Sequence, residues 1–160
     1  MDRAAAIPRL GTAQAIFASV AVAVFVLDRI TKAIVAASIQ LGTEVPAIDH
    51  VVWLTHIQNS GAAFGVAPFG SIFFLVVSII VAVALIAYVF SQGGSTGTAA
   101  LLGLVLGGTV GNAYDRLLHG SVTDFVALHW WPVFNVADSA ISVGVALLVL
   151  ASLLRRKPAS

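Results

Sequence analysis

Four long apolar runs dominate the pattern of this chain, at about Ala13–Ala37, Phe69–Phe90, Thr98–Leu118 and Val133–Leu154. Each is long enough for a helix that crosses a bilayer, which takes about 20 residues. Polar positions cluster between the runs and near their ends. The expected fold is therefore mainly α, a polytopic membrane protein with four transmembrane helices. One membrane domain would take up the whole chain, 1–160, with outer segments at 38–68 and 119–132. Within the first of these, Ile48–Ile57 is rich in Val, Trp, Thr and Ile and reads as a strand.

Composition agrees with the pattern. Hydrophobic residues make up 59% of the chain and charged residues only 9%, against roughly 25% in soluble domains. The net charge is +1, with no basic patch for nucleic acid. Cysteine is absent, which removes disulfides and thiolate chemistry. Arg3 and Arg9 precede the first run, and Arg155, Arg156 and Lys157 follow the fourth. By the positive-inside rule both ends are cytoplasmic. The link Ser91–Gly97 then lies inside. A rival reading takes Arg3, Arg9 and the first run as a secretory signal ending near Val35-Ala36-Ala37. Asp28, Arg29 and Lys32 interrupt such a signal, and the run is long enough to span.

This orientation sorts the polar residues. Asp28, Arg29 and Lys32 end the first span, and Asn59, Ser60 and Gly61 precede the second. Asn112, Asp115 and Arg116 end the third, Asn135 and Asp138 begin the fourth, and Asp124 lies between those two. All fall in the outer layer. An ionisable group inside a span costs about 2.5–3.5 kcal/mol at the helix centre, so it pairs or lines a site. Asp28 and Lys32 are spaced for pairing on one helix face. Arg29 is expected to snorkel to the interface or close a local ion pair. Asp124 and Asp138 have no basic residue within four positions and need partners from elsewhere in the fold. Two carboxyls brought together share one proton. One then acts as general base toward water and the other as general acid. Trp53, Trp130 and Trp131 read as an interfacial aromatic belt, and Gly103, Gly107 and Gly111 as a ridge for close helix packing.

Five motifs in order resemble those of the lipoprotein signal peptidase (signal peptidase II) family. They are Asp28-Arg29-Ile30-Thr31-Lys32, Asn59 to Gly65, Gly107 to Arg116, Val122-Thr123-Asp124-Phe125, and Phe134 to Ser139. The resemblance implies an intramembrane aspartyl peptidase of the bacterial plasma membrane. It would remove signal peptides from diacylglyceryl-modified prolipoproteins, cutting just before the lipidated cysteine. It would need no cofactor or metal, and its partners would be lipid-modified substrates and membrane lipids, with the chain a monomer. Asp124 and Asp138 would be catalytic. Asp28, Lys32, Asn59, Gly61, Asn112, Asp115, Arg116 and Asn135 would bind substrate or support the site. A small extracytoplasmic β-sheet cradle is also implied. Thr123 departs from the aliphatic residue usual there, and the Asp124–Asp138 connection is shorter than usual.

Rival chemistries have weaker sequence support. Gly93-Gly94-Ser95-Thr96-Gly97 matches the nucleophile-elbow pattern without its strand–turn–helix frame and reads as a flexible loop. A Ser–Lys peptidase would use Lys32 with Ser38 or Ser60, but Asp28 should keep Lys32 protonated. His50, His56, His119 and His129 lack zinc-peptidase spacing. A cation-coupled transporter would want polar residues through the whole depth. A scaffold built on the glycine ridge would leave the outer acids without a role.

Overall fold

The computed structural model describes residues 11–61 and 70–155. Arg3, Arg9, Arg156, Lys157 and the motif residues Ala62 to Gly65 lie outside them. Four helices occupy the apolar runs: α1 (Thr12–Ser38), α2 (Gly70–Gln92), α3 (Thr96–His119) and α4 (Val136–Arg155). Three strands lie in the connections: β1 (Glu44–Ile48), β2 (Val52–Asn59) and β3 (Val122–Ala127). They form one antiparallel sheet in the order β1-β2-β3.

The strand expected over Ile48–Ile57 is found as β2 from Val52 onward, while the residues before it form the turn of a hairpin with β1. The chain turns at Asp49-His50-Val51, where His50 takes a positive φ of 61°. No glycine or proline marks this turn, so composition alone runs straight through it.

Helix α3 is the hub, packing against α1, α4 and α2. Its glycines make this possible. A Cβ on Gly103 would stand 2.7 Å from the Phe17 carbonyl oxygen, and one on Gly107 would stand 2.5 Å from that of Ala21. Gly108 presses equally closely on the Ala137 carbonyl of α4. The expected ridge thus serves two neighbours at once, α1 on one side and α4 on the other. Beneath it, Phe17, Ala21, Val89, Ala99, Leu102 and Leu106 form the buried cluster.

Helix α3 starts at Ser95, whose hydroxyl accepts the Thr98 N–H at 3.2 Å. The serine of the elbow-like pattern is therefore a helix cap, and the link around it is not simply a flexible loop. The helix ends at Gly120, in the left-handed conformation that closes many helices (φ 70°).

Two helices, Gly70–Gln92 and Val136–Leu154, are long and apolar enough to cross a membrane. Few of their residues are buried within the fold, and Ile72, Phe73, Ile80, Val83, Leu150 and Leu154 are all exposed. Apolar faces of this extent need a non-aqueous environment. Helices α1 and α3 are less apolar because they carry charges and glycines.

Candidate functional site

The site is assembled at one end of the bundle, where α1 and β2 end, α4 begins, α3 ends and β3 runs past. It has two polar layers that share residues.

The first layer is ionic. Lys32 is almost wholly buried, and its ammonium meets three acceptors: Asp28 Oδ2 at 2.9 Å, Asp115 Oδ2 at 2.8 Å and Asn112 Oδ1 at 2.9 Å. An ammonium has three hydrogens, so Lys32 has none to spare. It is a poor candidate for a general base, which removes the support for a Ser–Lys arrangement. Arg29 bridges Asp28, at 2.7 Å, and Asp115. The expectation of snorkelling or a purely local pair is thus corrected: Arg29 ties α1 to α3 across the bundle. Its guanidinium also lies over the Tyr114 ring, 5.0 Å from the centroid.

Asp28 reaches further. Its Oδ1 accepts the Ala137 N–H at 3.1 Å, one of the unpaired amides at the start of α4. Gly111 makes room for this carboxylate, since a Cβ there would come within 2.9 Å of Asp28 Oδ2.

The second layer holds Asp124 and Asp138. Asn135 sits at the N-cap of α4. Its Oδ1 accepts the Asp138 N–H at 2.9 Å, and its own N–H donates to Asp138 Oδ2 at 3.1 Å. This is the reciprocal capping pattern written by a cap residue and an acceptor three positions later. The Asn135 side-chain amide then donates to Asp124 Oδ1 at 2.7 Å and to Asn112 Oδ1 at 3.1 Å. Asn112 donates to Asp138 Oδ1 at 2.7 Å, and Asn59 to Asp124 Oδ2 at 2.8 Å. Each oxygen of both carboxyls therefore accepts from a neutral amide. One asparagine, itself fully buried, touches both acids.

Asp124 lies on β3, outside the helices. Burial pushes its carboxyl up to about 6, and the nearby Asp138 charge raises it as well, against the amides of Asn59 and Asn135 and the charge of Lys32. A carboxyl at that value exchanges its proton near neutrality, as a general acid or base must.

The residues singled out in the sequence thus converge. Asp28, Lys32, Asn112, Asp115, Asn135, Asp124, Asp138 and Asn59 form one connected network. Gly61 joins through its N–H, which donates to Asn59 Oδ1 at 2.8 Å, and it needs its positive φ of 80°. Arg116 stands apart. Its guanidinium lies over the Phe74 ring at 5.2 Å, within electrostatic range of Asp138 and Asp124. Among the described residues no cluster of three His, Cys, Asp or Glu is placed to hold a metal ion. His56 instead bonds the Ile39 carbonyl at 2.9 Å, and His129 pairs with Glu44 at 2.8 Å.

Comparison with known proteins adds a family to this geometry. The family described as Signal peptidase (SPase) II matches residues 20–154. This chain belongs to the signal peptidase II family. A lipoprotein signal peptidase of Syntrophomonas wolfei is 44% identical over 134 residues, covering 84% of this chain and 90% of that protein. One from Halothermothrix orenii is 39% identical over 127 residues, covering 79% and 88%. Two solved structures, each described as a bacterial membrane enzyme, share the fold. One has a TM-score of 0.80 and 33% identity, covering 88% of this chain and 94% of its own. The other has a TM-score of 0.78 and 31% identity, covering 90% and 93%. Membership in signal peptidase II makes the chain a peptidase, and the apolar faces of α2 and α4 agree with the membrane character of its neighbours.

Proposed function

We propose that this chain removes signal peptides from diacylglyceryl-modified prolipoproteins in the bacterial plasma membrane, cutting just before the lipidated cysteine, with Asp124 and Asp138 as its catalytic pair. The observation that carries the reading is Asn135, which holds both carboxyls through one side chain and one backbone amide. Such bracing fixes two acids in a common orientation without neutralising either.

The chemistry follows from a pair that shares one proton. The ionised carboxylate takes a proton from water, and the resulting hydroxide adds to the scissile carbonyl carbon. The protonated partner donates to the carbonyl oxygen. As the tetrahedral intermediate collapses, one of its hydroxyls returns a proton to the partner carboxylate, the C–N bond breaks, and the departing amine receives the proton taken from water. Protons and charge balance at the end of the cycle, and no metal or cofactor is called for. The two acids titrate as a unit, so the base is a property of the pair. Asp28, Lys32 and Asp115 hold Asn112 and α4 in register. Arg116 and Gly61 both lie against the Phe74 ring beside the pair and would meet the substrate backbone.

The membrane reading is of four spans, α1 to α4, with both termini cytoplasmic and the acids at the outer leaflet. A lipidated substrate diffuses in that leaflet, with its scissile bond near the surface. The glycine seams of α3 support it, because α1 and α3 pack too tightly to be separated from the lipid-facing α2 and α4. The chain would act as a monomer. The test is cleavage by the purified protein of a diacylated precursor against the same precursor without lipid. Only the lipidated form should be cut efficiently.

A further inference from the structure

The three tryptophans, alike in the sequence, have two different environments. Trp53 on β2 is half-buried and stacks on His129, with ring centroids 3.7 Å apart and planes at 24°. Trp130 and Trp131 are 76% and 58% exposed, and touch each other edge to face at 6.1 Å. They form the tip of an arch between the end of β3 at Ala127 and the start of α4 at Val136. The expectation of one common belt therefore divides: Trp53 holds the arch, and the other two project from it.

The arch is closed at its base. The Phe125 and Val126 N–H groups donate to the Phe134 carbonyl at 3.1 and 2.8 Å, and the Phe134 N–H donates to the Val126 carbonyl at 3.1 Å. His129, at a positive φ of 62°, fastens one limb to the sheet through Trp53 and Glu44. Directly below the closed base, Asp124 lies on one limb and Asn135 on the other, 2.7 Å apart through their side chains. The projecting tip and the acids are thus two ends of one braced unit.

The surroundings of the tip are apolar. Residues 127–134 include no Asp, Glu, Lys or Arg. Trp53 pairs with Ala127, so the β1–β2 turn lies at the same end of the sheet as the arch. That turn exposes Ile48 and Val51. Two apolar tips therefore project from one end of the sheet, in a chain whose α4 continues the same connection as a lipid-facing helix. Tryptophan, with an apolar body and one N–H donor, favours the boundary between headgroups and acyl chains.

The geometry points to Trp130 and Trp131 as an anchor seated in the headgroup layer of the outer leaflet, one that sets the depth of the Asp124–Asp138 pair relative to the bilayer. The occupant is the lipid surface itself. The inference rests on the four-span orientation given above and deepens it.

The test uses the full chain in phosphatidylcholine–phosphatidylglycerol vesicles. A Trp53→Phe background keeps an aromatic ring under His129 and leaves emission from Trp130 and Trp131 alone. Lipids brominated near the top of the acyl chain should quench this emission strongly, and aqueous iodide weakly. Ready quenching by iodide with none by brominated lipid would overturn the anchor. Shielding from both, as burial against a second copy would give, would overturn it too. In parallel, the double variant Trp130→Ser/Trp131→Ser should cleave a vesicle-embedded lipidated precursor several-fold more slowly than wild type, yet match it in detergent micelles. Equal loss in both media, or no loss in vesicles, would contradict depth-setting. Wild type that fails to cleave in micelles would count against the proposed function, while the quenching result would still decide the anchor.

Discussion

Lys32 Nζ lies 2.9 Å from Asn112 Oδ1, and that contact fixes which way the Asn112 amide faces. An ammonium only donates, so the asparagine must present its oxygen to Lys32 and its NH2 to Asp138. Asp138 Oδ1 is thereby held as the acceptor of that N–H. A charge on α1 thus dictates, through one amide on α3, how one oxygen of the acid pair is hydrogen-bonded.

Lys32→Met should be among the most damaging single changes. It would leave Asp28 and Asp115 with a guanidinium alone and free the Asn112 amide to turn. Breaking a buried ion pair costs about 3–5 kcal/mol. The thermal midpoint in detergent should fall sharply. Lys32→Arg should not restore it, because a planar fork cannot reproduce three acceptors around one nitrogen.

Asn135→Ala separates folding from catalysis. Loss of a helix N-cap costs about 0.5–2 kcal/mol, a modest drop in stability. The same change removes the side-chain contact to Asp124 and the cap that orders Asp138. Turnover should therefore fall by far more than stability does, which parallel melting and cleavage assays would reveal.

The pH dependence follows from the carboxyl held at about 6. The pair must hold one proton, and Asp124 binds it while Asp138 stays ionised, so activity should fall as pH rises through about 6, well above the ordinary carboxylate range of about 4. The stability consequence has the opposite sense to that of a salt-bridged aspartate. A raised value means the fold favours the protonated form. Its contribution is complete below about 4 and is lost as pH rises through about 6. Relative to wild type, Asp124→Asn should therefore gain stability between pH 4 and pH 7. Denaturation followed across that range would check the sign.

Gly111→Ala and Gly108→Ala address the helix seams. The first sets a methyl group against Asp28 Oδ2, and the second drives one into the Ala137 carbonyl. Neither neighbour can yield easily, one being a buried carboxylate and the other backbone. Overpacking typically costs about 1–3 kcal/mol. Both variants should melt lower than wild type, and Gly111→Ala should also lose activity, because Asp28 holds the first turn of α4.

The helices were legible because apolar runs of this length have few other uses, and the acids because uncompensated charges beside such runs need a reason. The hairpin was not, since Asp49 is the lone turn-favouring residue of Asp49-His50-Val51, with no Gly or Pro beside it, and it is His50 that adopts the unusual conformation. β3 was not read from its residues either. Its six residues do not alternate, Thr123-Asp124 being followed by three apolar positions, and pairing with β2 supplies what pattern does not. Arg29 was undervalued because its partner Asp115 is far away in sequence. The contact between Asp28 and the Ala137 N–H was invisible in principle, because every residue but proline carries that donor.

The central claim is that Asp124 and Asp138 act together on one water, and the most direct measurement is turnover of a diacylated precursor by Asp124→Asn and Asp138→Asn, each shown to be inserted and folded. Each variant should lose about 10²-fold or more of the wild-type rate, and the double variant should be little worse than either single one, since the two acids form a unit. Either single variant cleaving at the wild-type rate would contradict the account.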